Sequence, residues 1–311
     1  MSPEFLVTAL IVVLAPGTGV IYTLAVALAR GRLASVAAAL FQTVRFMLQK
    51  VLSMDVLSTA GSTFARFAYA APAAMLVTLA YLWVRDTPFP TLDGWFWFYA
   101  WVGGVSQILA TVCVVALFRQ RNFAVGITFK KTEVIQTAIV GVALFGAEVS
   151  LAGWGAILIG LIGVLLLSRT PGLDQGVWSS LTSRATGLGL TSGFFFAFSG
   201  TSYRAASLQI DSEDAVLRAA VTLTCVTASQ FVAMALWLRW REPGQLSAVW
   251  RARKVAVWVG LTSMAGSMGW FTAFTLQTAA YVQAVGQIEL IFSLMASVLF
   301  CRSAAAMTLL L

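Results

Sequence analysis

Lys130 and Glu133 lie three residues apart inside a long apolar stretch. On a helix that spacing sets both on one face, where they can pair in place, and Lys131 falls off that face. A charge at the bilayer centre costs on the order of 2.5–3.5 kcal/mol on insertion scales, so such residues turn toward a bundle interior or toward water. Three readings stay open for the pair: a local ion pair that fixes helix packing, a cation and carboxylate that line a cavity and meet substrate, or lysines snorkelling at the interface. Glu289 has no cation on its own helix, which offers Gln283 and Gln287. Gly286, Glu289, Ser293 and Ser297 form one small, polar stripe suited to close packing or a wet cavity. Left unpaired, Glu289 would take up and release protons, as proton-coupled export requires. Otherwise it pairs with an arginine from another helix or sits at the interface.

The candidate arginines are Arg45, Arg66, Arg204 and Arg218. Arg45 and Gln49 share a face, and so do Gly193, Ala197, Gly200 and Arg204. Arg66 and Arg218 sit in the first turns of apolar runs, where snorkelling to the interface is expected. Gln107, Gly103, Gly104 and Thr111 form a polar stripe, echoed later by Ser263, Gly266, Ser267 and Trp270. Either these stripes glue helices together, or they hydrogen-bond and stack with a substrate. The expected substrate or ion pathway therefore holds Lys130, Glu133 and Glu289 with Arg45, Gln49 and Gln107, and then Arg204, Ser267 and Trp270.

Soluble-site chemistry is missing from the sequence. The chain has no histidine, which removes imidazole catalysis, His metal sites and His-ligated haem. It has no GxxxxGK[ST] loop, so ATP-driven pumping is disfavoured, and no HExxH. Gly187-Leu188-Gly189 is too short for a nucleotide fingerprint. Cys113, Cys225 and Cys301 are isolated, with no CxxC, and read as free thiols. The chain is not expected to be an enzyme, and no cofactor or metal is expected.

These residues must be positioned by membrane helices. Of 311 residues, 59% are hydrophobic and 10% charged, with mean hydropathy +0.87. A soluble protein carries roughly 25% charged residues. The net charge of +8 sits mainly at the ends of apolar runs. It therefore reads as orientation in the bilayer, and no nucleic-acid partner is expected. The fold class expected is all-α, a polytopic bundle of about ten transmembrane helices. They run over 5–29, 35–52, 57–84, 95–118, 122–145, 151–168, 185–208, 213–238, 255–277 and 280–301. Trp83, Trp95, Trp97, Trp237, Trp240 and Trp258 mark helix ends as an interfacial belt. Arg239, Arg241, Arg251, Arg253 and Lys254 put the loop near 239–254 in the cytoplasm. Strict alternation then places Asp211, Glu213 and Asp214 outside, along with Arg85, Arg30 and Arg32.

A repeat organises the chain. Trp101-Val102-Gly103, with Ser106, Ala116 and Gln120, recurs 157 residues on as Trp258-Val259-Gly260, with Ser263, Ala273 and Gln277. One residue of slippage later, Thr132-Glu133-Val134-Ile135 recurs as Ile288-Glu289-Leu290-Ile291. A five-helix first copy starts the second copy in the opposite orientation, giving an inverted pair around a central site. The expected organisation is an extra N-terminal helix (1–34), a first repeat (35–168), a linker (169–184), a four-helix second repeat (185–301) and a short tail (302–311).

The pattern resembles the EamA-type drug/metabolite transporter family over about residues 38–301. The likeness rests on Phe41-Gln42-Thr43-Val44-Arg45 through Leu48-Gln49, then Arg66. It extends from Phe123 through Lys130, Glu133, Gly141, Gly146 and Glu148 to Trp154-Gly155, and to Gln287-Ile288-Glu289-Leu290-Ile291-Phe292. The resemblance implies two five-helix halves and export or uptake of small metabolites in the inner membrane. Phe5 to Val36, with Pro16-Gly17 and Ala29-Arg30-Gly31-Arg32, instead resembles the first helix of lysine-exporter-type amino-acid exporters. After Cys301-Arg302-Ser303 the family pattern would add one more span, which suggests a fused or rearranged chain truncated at its C-terminus. The function expected is a secondary transporter, an exporter of a small metabolite or drug, working by alternating access with protons as a possible coupling ion. The alternative is a rearranged, non-transporting membrane protein. Small-molecule substrate and lipid are the expected partners; the sequence leaves the oligomeric state open.

Overall fold

The computed structural model of the chain describes residues 32–55, 57–120, 123–167 and 183–289. Every regular element among them is helical. In chain order these are α1 (Arg32–Asp55), α2 (Thr59–Val84), α3 (Gly94–Phe118), α4 (Phe123–Lys130), α5 (Glu133–Phe145) and α6 (Leu151–Leu167). Then follow α7 (Arg184–Leu208), α8 (Ala215–Arg241), α9 (Gln245–Arg251), α10 (Arg253–Leu276) and α11 (Ala279–Gly286). The expected span over 5–29 lies outside the described residues, as do most of 280–301, the linker from 169 to 182 and the tail.

Short polar side chains start the long helices. Ser58, Asp93 and Ser183 each accept a first-turn N–H, from Gly61, Phe96 and Thr186. Asp214 accepts two, from Val216 and Leu217. Each satisfies donors that the helix itself leaves orphaned. At its other end α5 stops at Gly146 with φ +59°, while Ala147 N–H returns to the Gly141 carbonyl at 2.9 Å. That left-handed close suits glycine.

α2, α3 and α8 are long and apolar enough to cross a membrane. The other expected spans depart from that standard for visible reasons. α1 contains Arg45 and Lys50, and α7 and α10 are rich in Gly, Ser and Thr. The expected span over 122–145 is divided into α4 and α5 by a turn at Lys131-Thr132.

Polarity runs from inside to outside. Ser62, Thr63, Thr111, Ser192, Thr222 and Gln230 are buried. Leu76, Leu79, Ile139, Leu144, Ile159 and Leu236 are exposed, and so are all six tryptophans named as the interfacial belt. So much apolar surface is unsuited to water and suited to lipid. The protein is a helical membrane protein.

Four packings position the site. α7 lies on α3, α10 on α1, and α2 on both α8 and α10. α2 and α8 run antiparallel: Ser58 donates to Glu242, Phe64 stacks on Phe231 at 5.6 Å, Thr78 meets Thr224 at 2.8 Å, and Arg85 meets Asp214 at 3.4 Å. α7 crosses α4 where Gly189 faces the Gly126 carbonyl so closely that a Cβ has no room. That approach holds the α4–α5 turn against the bundle centre, and Gly193 lies over Lys130 and Glu133.

Candidate functional site

The turn between α4 and α5 explains why two charges are tolerated deep in the bundle. Thr132 N–H reaches back to the Phe129 carbonyl at 3.1 Å, a three-residue closure that tightens the last turn of α4. Lys130 thus sits at a helix C-terminus and Glu133 at a helix N-terminus. Each charge opposes the partial charge of the helix end it occupies. The two pair across the turn, Lys130 Nζ to Glu133 Oε2 at 2.8 Å, nearly excluded from solvent. The Lys130 ammonium also lies 4.9 Å from the Phe196 ring centroid.

α11 ends in the same manner. Gln287 and Ile288 close back three residues onto Ala284 and Val285, at 3.3 and 3.1 Å, and Glu289 follows. The cation that meets Glu289 is Lys131, at 3.4 Å, not one of the four arginines weighed as partners. The turn swings Lys131 off its helix and toward the second carboxylate. Gln42 Nε2 donates to Glu289 at 3.2 Å, and Trp270 Nε1 donates to Gln42 Oε1 at 3.2 Å. One chain of contacts therefore joins α10, α1, the residue after α11 and the α4–α5 turn.

Beside this chain lies a small cavity of about 40 Å³. Arg66, Lys130, Glu133, Gln42, Gln107, Ser267 and Gln283 supply its polar wall. Phe196, Tyr203, Trp270, Phe271 and Phe274 supply its aromatic wall. Tyr203 stacks on Phe271 at 4.4 Å, and Trp270 on Phe274 at 5.8 Å. The Tyr203 hydroxyl donates to Gln107 Oε1 at 3.1 Å, and Gln230 Nε2 donates to the same oxygen at 3.0 Å. A mixed aromatic and polar lining is the chemistry of a small-molecule site.

The expected pathway residues divide into three groups. Lys130, Glu133, Gln107, Ser267 and Trp270 line the cavity, and Glu289 stands behind its wall through Gln42. Arg45 and Gln49 bond each other at 2.8 Å and are buried, but neither lines the cavity. Arg204 lies elsewhere. Its guanidinium donates to the carbonyls of Phe274, Thr275 and Gln277, closing the C-terminus of α10. It borders a second, wider opening of about 490 Å³ between the ends of α5 and α7, together with Thr137, Leu208 and Thr278.

Arg66 overturns its expectation. It does not snorkel: 4% of its surface is exposed, and it faces the cavity. Its Nε donates to Ser263 at 2.7 Å, Nη1 to Thr111 at 3.0 Å and Nη2 to Ser267 at 3.4 Å. The sequence held one signal for this: Ser263 and Ser267 stand four apart, a polar seam inside an apolar helix. Gln42, Tyr203 and Phe274 were not expected in the site, and nothing in their own spacing marks them. No family model matches the chain, and no curated protein matches it.

Proposed function

We propose that the chain is a multi-pass secondary transporter of the cell (inner) membrane, moving a small metabolite or drug by alternating access, with export the expected direction. The observation that supports this most is a pair of short helices that end in matching turns. α4 spans 123 to 130 and α11 spans 279 to 286, with Glu133 and Glu289 just beyond each turn, every position 156 apart. Both turns meet at one buried cluster beside a cavity. Paired helix ends at repeat-related positions are a usual place for a transporter's substrate.

Helix packing supports the inverted-repeat reading on which alternating access depends. If α1, α2 and α3 correspond to α7, α8 and α10, a two-fold operation must exchange the contact of α1 with α10 for that of α7 with α3. Both contacts exist. α2 and α8 would then pair with each other, and their antiparallel pairing turns them end for end. An axis perpendicular to spanning helices lies in the membrane plane. The likeness of the sequence to EamA-type transporters fits the same reading.

Flux in proteoliposomes tests it. Purified protein should move solute in response to a pH gradient or a substrate gradient, and Glu133→Gln and Glu289→Gln should each lower that flux at least tenfold. Unchanged flux in both variants would refute the roles given to the carboxylates, and no flux of any solute would refute transport.

A further inference from the structure

Among the described residues, four cations and two carboxylates are buried at the bundle centre. Arg45, Arg66, Lys130 and Lys131 are 2%, 4%, 2% and 3% exposed; Glu133 and Glu289 are 4% and 8% exposed. Lys130 neutralises Glu133, and Lys131 neutralises Glu289. Among the described residues neither arginine meets a carboxylate. Arg45 lies behind the wall, bonded to Gln49. Arg66 faces the cavity.

A guanidinium has five N–H donors in a fixed fork. Arg66 uses three of them on the hydroxyls of Ser263, Thr111 and Ser267. One donor on each terminal nitrogen remains, the arrangement that grips a carboxylate with two parallel hydrogen bonds. Hydroxyls orient the guanidinium but leave its charge unneutralised, and a buried charge without a counter-charge is costly. Among the described residues the one carboxylate that lines the cavity, Glu133, is taken by Lys130. The wall also holds aromatic rings, with Trp270, Phe271 and Phe274 one to two turns along α10 from Ser267.

We propose that this cavity takes a small organic carboxylate, its anionic end on Arg66 and its apolar or aromatic body against Trp270, Phe271 and Phe274. The proposal rests on reading the cavity as the transport site and names the class of substrate. It would complete the charge balance that Arg66 leaves open, with the three hydroxyls holding the fork in place before the ligand arrives.

Binding to the full chain in detergent tests it, by calorimetry with phenylacetate, phenylacetamide and phenethylamine as probes. Phenylacetate should bind saturably and at least tenfold more tightly than the amide, and the amine should not bind. Arg66→Gln should abolish the preference for the acid, and Arg66→Lys should keep part of it. If the glutamine variant does not fold, the wild-type ranking decides alone. An amide that binds as well as the acid, an amine that binds better, or no saturable binding of phenylacetate overturns the proposal. Flux in proteoliposomes separates it from the transport reading. Bound carboxylate without flux supports the ligand class and refutes transport; flux of the amine with none of the acid does the reverse.

Discussion

Lys131 and Glu289 come from turns far apart in sequence and form a buried salt bridge at 3.4 Å. Removing one member of a buried pair strands the other, which costs about 3–5 kcal/mol, whereas replacing both can be nearly neutral. Lys131→Met should therefore destabilise the protein by about that amount, and Lys131→Met with Glu289→Gln should recover most of it. Chemical denaturation in mild detergent measures both; a double variant no more stable than the single one would show that the pair contributes little. The sequence disclosed one of the two buried pairs. The Lys130–Glu133 contact follows from three-residue spacing and is present at 2.8 Å. The Lys131–Glu289 contact needs the turn at Lys131-Thr132, and a helical wheel drawn through that turn aims Lys131 the wrong way. Arg66 was misread for a related reason: its depth was taken from its place in an apolar run, while its direction is set by hydroxyls on α3 and α10.

Helix bounds were legible because caps and apolar runs are local. The described ends of α2, α3 and α7 fall within two residues of the spans expected from sequence. The α4–α5 interruption was hidden because neither glycine nor proline stands at residues 131 and 132. What holds the interruption in place is tertiary, the approach of α7 at Gly189. Gly189→Ala would press a Cβ into the Gly126 carbonyl, and overpacking of this kind costs about 1–3 kcal/mol. Gly187→Ala, on the same helix with open space around it, should leave stability unchanged or slightly raised. Equal melting temperatures for the two variants would argue against the close crossing. The start of α8 gives a pH-dependent test. Burial alone would raise the Asp214 carboxyl, but hydrogen bonds from the Tyr81 hydroxyl, from Leu217 and Val216 N–H and from Arg85 outweigh it and hold the group below its usual range. A lowered carboxylate stabilises the fold fully above its unfolded value, about 3.9, and loses that contribution as pH falls through the lower folded value. Asp214→Asn keeps a capping oxygen and removes the titration. The gap in melting temperature between wild type and Asp214→Asn should hold steady from pH 7 to 5 and shrink below about pH 4; a gap that does not change with pH refutes the assignment.

The whole molecule turns on whether its two sets of helices face opposite ways. The pairing of α2 with α8 states the question compactly, because Ser58 at the start of one meets Glu242 at the end of the other. At the opposite end Arg85 closes α2 and meets Asp214, which opens α8. The loop after α2 therefore lies beside the loop before α8, although in sequence it corresponds to the loop after α8. Arg119 adds a second marker, reaching from the end of α3 to the Ser53 and Leu57 carbonyls near the α2 start. Thr87 and Asp211 thus belong to one end of the bundle, and Gln120 and Ser247 to the other. The basic segment that holds Arg251, Arg253 and Lys254, at the end of α9 and the start of α10, lies with the second group, so that group should face the cytoplasm. Single cysteines at these four positions, in a chain whose native cysteines are replaced by alanine, report the arrangement to a membrane-impermeant thiol reagent. Those at 87 and 211 should react in intact cells, and those at 120 and 247 only after permeabilisation. Positions 87 and 247 decide the matter, since they follow corresponding helices. Opposite exposure is what an inverted pair requires, and a central cavity can then open to either side by rocking one set against the other. Exposure on the same face would leave two parallel bundles, with no symmetry-related second state for the cavity to open into, and alternating access as argued here would fail.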